Sequence, residues 1–177
     1  MRSAFSKPPA SKNRYSRLKY LKILALTVFL LLVYLGGDLI ANNAAFINTP
    51  GPFPRIHVYF TLNRAWTTGG YPLPEVSSRI FYGDPDKLYA NITHSISSFS
   101  GWRIEKAIPG HLVVHVAPSF WHHASRLEIT LSPVRGGLHV DVTASSRSEF
   151  PDLGADRNYI LNLFHKIGDE NAIHPPV

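Results

Sequence analysis

Arg147, Asp152 and Arg157 form the best polar grouping in the sequence, inside the stretch Ala144–Ile160 that reads ASSRSEFPDLGADRNYI. Residues of these types at this spacing support two chemistries. The first is an anion site, in which guanidinium forks lie near a helix N-terminus whose backbone N–H groups also point outward. The second is a structural corner, in which Asp152 pairs with one or both arginines and pins a strand to a helix. Pairs of the second kind occur without any ligand.

Other chemistry finds little support in the residues. Nine histidines are present, but His111 and His115 share no productive spacing with a carboxylate, and His122–His123 are neighbours in a loop. A transition metal needs three or four converging donors, so no metal and no cofactor are expected. The chain has no cysteine, which excludes disulfides, thiol nucleophiles and thiolate metal sites. A Gly-x-Ser-x-Gly elbow, a glycine-rich phosphate loop and a His-Glu-x-x-His pair are all missing. A Ser/His/Asp set gathered from distant positions stays open at this point. Asn91-Ile92-Thr93 matches a glycosylation sequon but lies in an expected helix and reads as chance. The pattern points away from an enzyme.

The elements that must position these residues begin with a membrane anchor. Arg2, Lys7, Lys12, Arg14, Arg17, Lys19 and Lys22 give +7 before any acid appears, so the remaining residues carry −1 of the net +6. A basic tail beside a near-neutral body is not a nucleic-acid surface. Residues 21–41 are apolar, close to the roughly 20 that cross hydrocarbon. Lys22 can snorkel at the near interface and Asp38 falls near the far one. The basic excess predicts a cytoplasmic N-terminus. A cleaved signal peptide is the rival, opposed by the long basic region, the length of the run and the poor cleavage sequence Ala41-Asn42-Asn43-Ala44. These features predict residues 1–20 as a disordered cytoplasmic tail, 21–41 as a single inner-membrane helix, and everything beyond as periplasmic.

Residues 42–79 are rich in proline and aromatics, with Arg55, Arg64, Glu75 and Arg79 as their only charges. A free linker would be charged or rich in Gly and Ser. Phe46, Phe53, Tyr59, Phe60 and Trp66 therefore lie against something, either the chain's own domain or a neighbouring membrane subunit. Ile56–Leu62 reads as a short strand.

An α+β domain is expected over residues 80–168. Asp84-Pro85 opens a helix whose apolar stripe is Leu88, Tyr89, Ile92, Ile96 and Phe99, and Gly101 stops it. Four strands of period two follow, around Trp102–Ile108, Leu112–Val116, Leu127–Leu131 and Leu138–Val142. Their alternation suits an antiparallel sheet with one dry face. Pro109-Gly110 and Arg135-Gly136-Gly137 mark hairpin turns. A last helix, Asp156–Ile167, carries Ile160, Leu163, Phe164 and Ile167 along one stripe. The expected architecture is a two-layer α-β-β-β-β-α sandwich with a four-stranded sheet, and residues 169–177 form an extended tail.

Ser145, Ser146, Arg147, Asp152, Leu153, Gly154 and Arg157, with Gly101-Trp102 upstream, resemble the signature of the domain-of-unknown-function 1499 family over about Val76–Ile167. That family carries a Ser-Ala-Ser-Arg-like strand end followed by an Asp-Leu-Gly-x-Asn-Arg-like turn and a helix. Here Asp156 replaces the usual Asn, and Glu75-Val76-Ser77-Ser78 stands where the family has Cys-Val-Ser-Ser, so any role resting on that cysteine is absent. The family has no settled activity, and the resemblance implies a fold. Taken together, these readings predict a non-catalytic accessory subunit of an inner-membrane complex, with membrane lipid and other integral membrane subunits as partners. Photosynthetic and respiratory assemblies are the natural candidates. The alternative is a periplasmic module that holds a lipid or small ligand.

Overall fold

The apolar run forms helix α1, Lys12–Ala41, in a computed structural model that describes residues 12–119 and 123–173. The helix starts within the stretch expected as a disordered tail, and residues 1–11 lie outside the described residues. From Arg17 to Ala41 it is 25 residues long, long and apolar enough to cross a membrane. Leu24, Phe29 and Leu32 are each about 60% exposed, so this segment is not a buried core helix. The chain divides into two units, Met1–Gly37 and Asp38–Val177, and the last turn of α1 belongs to the second.

The segment after α1 departs from expectation. Ile56–Leu62 is not a strand: residues Pro52–Thr61 form a second helix, α2. Pro52 and Pro54 occupy its first turn, where backbone N–H groups have no intrahelical acceptor and proline costs nothing. Arg55, Val58 and Tyr59 form its buried face, which is helical spacing rather than alternation. Two short strands then appear, β1 at Arg64–Trp66 and β2 at Arg79–Tyr82. Helix α3, Pro85–Ser98, starts where Asp84 caps the N–H groups of Asp86 and Lys87.

Strands β3 (Trp102–Ile108), β4 (His111–Val116), β5 (Ser125–Val134) and β6 (Gly137–Ser146) form two antiparallel hairpins, as their alternation requires. The sheet has six strands rather than four, in the order β1-β6-β5-β4-β3, with β2 also on β6. Strands β1 and β2 share one edge of β6 end to end: Arg64 opposes Ser145, and Arg79 opposes Val140. Thr67 fills the gap between them. Its N–H donates to the Val142 carbonyl, and its hydroxyl accepts from the Val142 N–H. At the other end Gly137 is obligatory, because an added Cβ would overlap the Phe81 carbonyl on β2.

The dry face carries Leu112, Val114, Leu127, Ile129, Val140 and Val142, all buried. Helix α3 covers it with Leu88, Ile92 and Ile96, and helix α4, Ala155–Ile173, covers it with Ile160, Leu163, Phe164 and Ile167. Helix α4 thus continues into the tail expected to be extended, and residues 174–177 lie outside the described residues. A bulge between Ile104 and Lys106 flips the end of β3, which leaves Ile108 42% exposed rather than in the dry face. Val58, Tyr59 and Leu73 make a second, smaller core, with Leu39, Phe46, Leu62 and Tyr71 packed around it.

Candidate functional site

The last strand and last helix meet at Ser146–Ala155, where the polar residues singled out above converge with residues that were not. Asp152 is buried, and its carboxylate is held by the backbone of its own turn. Its Oδ1 accepts from the Gly154 N–H at 3.0 Å and its Oδ2 from the Asp156 N–H at 2.8 Å. From two residues before Gly154, whose carbonyl accepts the first bond of α4, its side chain satisfies an N–H of the first turn, a role that aspartate suits. The turn needs Gly154, at φ 90, because a Cβ there would press within 3.1 Å of the Tyr59 ring. Asp156 reaches back to the sheet, where its Oδ2 accepts from the Ser146 N–H at 2.7 Å.

Neither expected ion pair of Asp152 is formed, for a physical reason: its oxygens are already taken by backbone N–H groups. Arg157 turns instead to Glu75, with Nε and Nη2 each 2.8 Å from Oε1. The other side of Glu75 meets Arg55 in a fork, with Nη1 to Oε1 and Nη2 to Oε2 both at 2.8 Å. Arg55 is fully buried and uses all its N–H groups: it also donates to the Asn48 and Thr49 carbonyls and to the Tyr59 hydroxyl. Arg157 Nη1 reaches the Asn43 carbonyl at 3.3 Å. Arg147 is exposed and stands apart from this clamp.

Asn42 completes the corner. Fully buried, it donates to Asp38 Oδ1 at 3.0 Å and to the carbonyls of Asp152 and Leu153. Asp38–Asn42, residues 43–49, α2, Glu75 and the start of α4 are therefore tied together by buried and partly buried polar bonds.

Electrostatics follow from burial. Burial works to raise the Glu75 carboxyl, but the bonds from Arg55 and Arg157 outweigh it and hold it below the usual carboxylate range. Arg55 is raised by the same bond to Glu75. Burial raises Asp152, opposed by its two backbone donors. Asp156 is pushed up to about 8 by burial and then by the Asp152 charge. Both carboxyls of the pair are thus harder to ionise than free ones, Asp156 the more so because the Asp152 charge adds to its burial. Burial also pushes up the hydroxyls of Tyr71 and Tyr159, which disfavours them as nucleophiles. Among the described residues no group of His, Cys, Asp and Glu is placed to hold a metal ion.

Of the five aromatics expected to face a partner, Tyr59 is fully buried. Phe46 packs edge-on against it at 5.5 Å, and Trp66 packs edge-on against Tyr71 at 5.0 Å. Of the five, only Phe53 and Phe60 are exposed. The residues that sequence reasoning passed over are Arg55, Glu75 and Asn42. A signal for Glu75 existed: it is the only acid between Asp38 and Asp84, in a segment with few charges of any kind.

A second feature lies at the opposite end of β6. A cleft of about 610 Å³ opens between the start of α3 (Pro85, Asp86, Tyr89), the end of β3 with its following turn (Ala107–Gly110), and Leu131, Pro133 and Leu138. Its lining is mostly apolar, with Asp86 and Tyr89 as the lining residues that carry polar side-chain groups.

No family model, no curated protein and no solved structure matches this chain.

Two predictions follow the geometry of the corner. Glu75→Gln leaves two guanidiniums buried without a counter-charge and should lower stability by about 3 kcal/mol. Arg147→Ala, at an exposed position, should change it by no more than about 0.5 kcal/mol. Urea unfolding of the full chain in detergent measures both, and equal losses would refute the clamp.

The second concerns pH. Because the folded pKa of Asp156 is raised, the folded state holds a proton that the unfolded chain releases near its ordinary carboxylate pKa. Its contribution is therefore present at low pH and is lost as pH rises toward about 8, at up to about 1.4 kcal/mol per pH unit. The melting temperature should fall across this window, and Asp156→Asn, which mimics the neutral acid, should flatten the fall. A wild-type profile that rises instead would contradict the assignment.

Proposed function

We propose that this protein is a non-catalytic accessory subunit of a larger inner-membrane complex. Helix α1 anchors it, with the N-terminus in the cytoplasm and the α+β domain in the periplasm. The observation that carries this reading is the Arg55–Glu75–Arg157 clamp. The charged side chains best suited to chemistry are consumed in fixing the post-anchor segment to the sheet and α4. A domain held this firmly to the stretch beside its anchor suits a part that holds position in an assembly. The +7 of the first 22 residues supports the orientation. The resemblance to the domain-of-unknown-function 1499 family over Val76–Ile167 is part of the same proposal and adds no activity to it.

The cleft beside α3 favours a second reading, a module that holds a lipid or small apolar ligand. Its volume of about 610 Å³ lies within the range of small-molecule sites.

Single cysteines at Ser11 and Ser132, in a chain that otherwise has none, report topology. A membrane-impermeant maleimide, applied to cells with a permeabilised outer membrane, should label Ser132→Cys and spare Ser11→Cys. The reverse pattern would overturn the orientation. Sizing of the full-length chain in mild detergent, with native mass spectrometry of the peak, tests the rest. The accessory reading expects migration with a large assembly. A monomer running alone sinks it, and a monomer that carries a lipid-sized mass moves the assignment to the cleft.

A further inference from the structure

Helix α2 is amphipathic in the reverse of the usual sense for a helix on a soluble domain. Its inward face carries a charge, Arg55, together with Val58 and Tyr59. Its outward face carries Phe53, 83% exposed, Ile56, 42% exposed, and Phe60, 40% exposed. Those three recur at i, i+3 and i+7 and form one stripe. Ile47, 92% exposed, lies in the stretch just before α2, and Ile40, 82% exposed, in the last turn of α1. Soluble surfaces keep contiguous apolar area small.

The identity of the cover follows from chain continuity and charge. Phe53 lies twelve positions beyond Ala41, the end of the helix long enough to span a membrane. The intervening chain is folded back onto α2 rather than paid out as a tether. The Tyr59 hydroxyl donates to the Ala45 carbonyl at 3.4 Å, Phe46 packs on the Tyr59 ring, and Arg55 Nε donates to the Asn48 carbonyl at 2.9 Å. From Leu39 to Pro74 there is no acid to repel anionic headgroups, and His57 and Arg64 are exposed. We propose that α2 is an interfacial helix that lies in the headgroup–acyl boundary of a phospholipid bilayer, with Phe53, Ile56 and Phe60 turned into lipid. This rests on the reading of α1 as a membrane span. Three apolar side chains on a ten-residue helix bind a bilayer weakly alone, but an anchor in the same chain supplies the effective concentration that makes such contact persist.

The test uses the full-length chain in vesicles of phosphatidylcholine and phosphatidylglycerol, with one cysteine at a time bearing an environment-sensitive fluorophore. The positions are Val28→Cys, Phe53→Cys, Ile56→Cys, Phe60→Cys and, as a water-facing control, Ser132→Cys. Each label leaves the other outward side chains of α2 in place. Nitroxides carried deep in the acyl chains should quench Val28→Cys. Nitroxides near the headgroups should quench the three α2 positions, which should also be several-fold less accessible to aqueous iodide than Ser132→Cys. Quenching at Val28→Cys with α2 as open to iodide as Ser132→Cys would overturn the interfacial helix and leave the anchor standing. Failure at Val28→Cys would remove both. Positions on α2 that are dry in native membranes but wet in these vesicles would mean that a protein partner covers the stripe, and that result also overturns the proposal.

Discussion

The structure of the second unit depends on one carboxylate placed between two guanidiniums. Glu75 accepts from Arg55 and from Arg157, and each arginine also donates to backbone carbonyls that precede α2. Buried charges are costly unless paired, so the buried Arg55 and Arg157 both depend on Glu75, whose side chain keeps 25% exposure. Their joint requirement fixes four pieces of chain together: residues 43–49, the adjoining α2, the Glu75 segment and the distant α4. In a post-anchor segment with five prolines and few charges, this pairing fixes the one helix, α2, against α4 and the Glu75 segment.

The same corner settles how the last strand passes to the last helix. Asp152 bonds an N–H of the first turn of α4 and Asp156 bonds the Ser146 N–H, so the turn is closed by carboxylates acting on backbone. Two neighbouring buried acids cannot both ionise cheaply, and both are raised above the usual carboxylate range. The small core of Val58, Tyr59 and Leu73 packs below the turn, and Gly154 admits the Tyr59 ring. Packing and hydrogen bonding thus support each other there. With the polar interior of the segment occupied by Arg55 and Tyr59, the apolar side chains of α2 that remain must turn outward.

At the sheet, β6 is the organising strand. It pairs along its length with β5, and its other edge is shared by β1 and β2, with Thr67 bonding across the gap between them. This arrangement covers an edge that a four-stranded sheet would leave open to pairing with other chains. The apolar cleft forms at the far end of β6, where the bulge in β3 turns Ile108 out of the core.

What the sequence determined by itself was whatever local periodicity encodes. The apolar run of α1, the stripes of α3 and α4, the Asp84-Pro85 cap and the alternation of β3 to β6 are each written in neighbouring residues, because burial on one face imposes a period of 3.6 or 2. Strands β1 and β2 have three and four residues and no period to read. Only their pairing with β6 makes them strands. Helix α2 was hidden for a related reason: its buried face centres on a charge, which a hydrophobic pattern cannot anticipate, and its prolines read as breakers until they fall in the first turn. The nearness of Asp152 to two arginines in sequence suggested an ion pair, yet tertiary structure gave Asp152 to backbone N–H groups and Arg157 to Glu75, 82 positions away. Charge pairing acts through space, so the partner of a buried charge is decided by which segments the fold brings together.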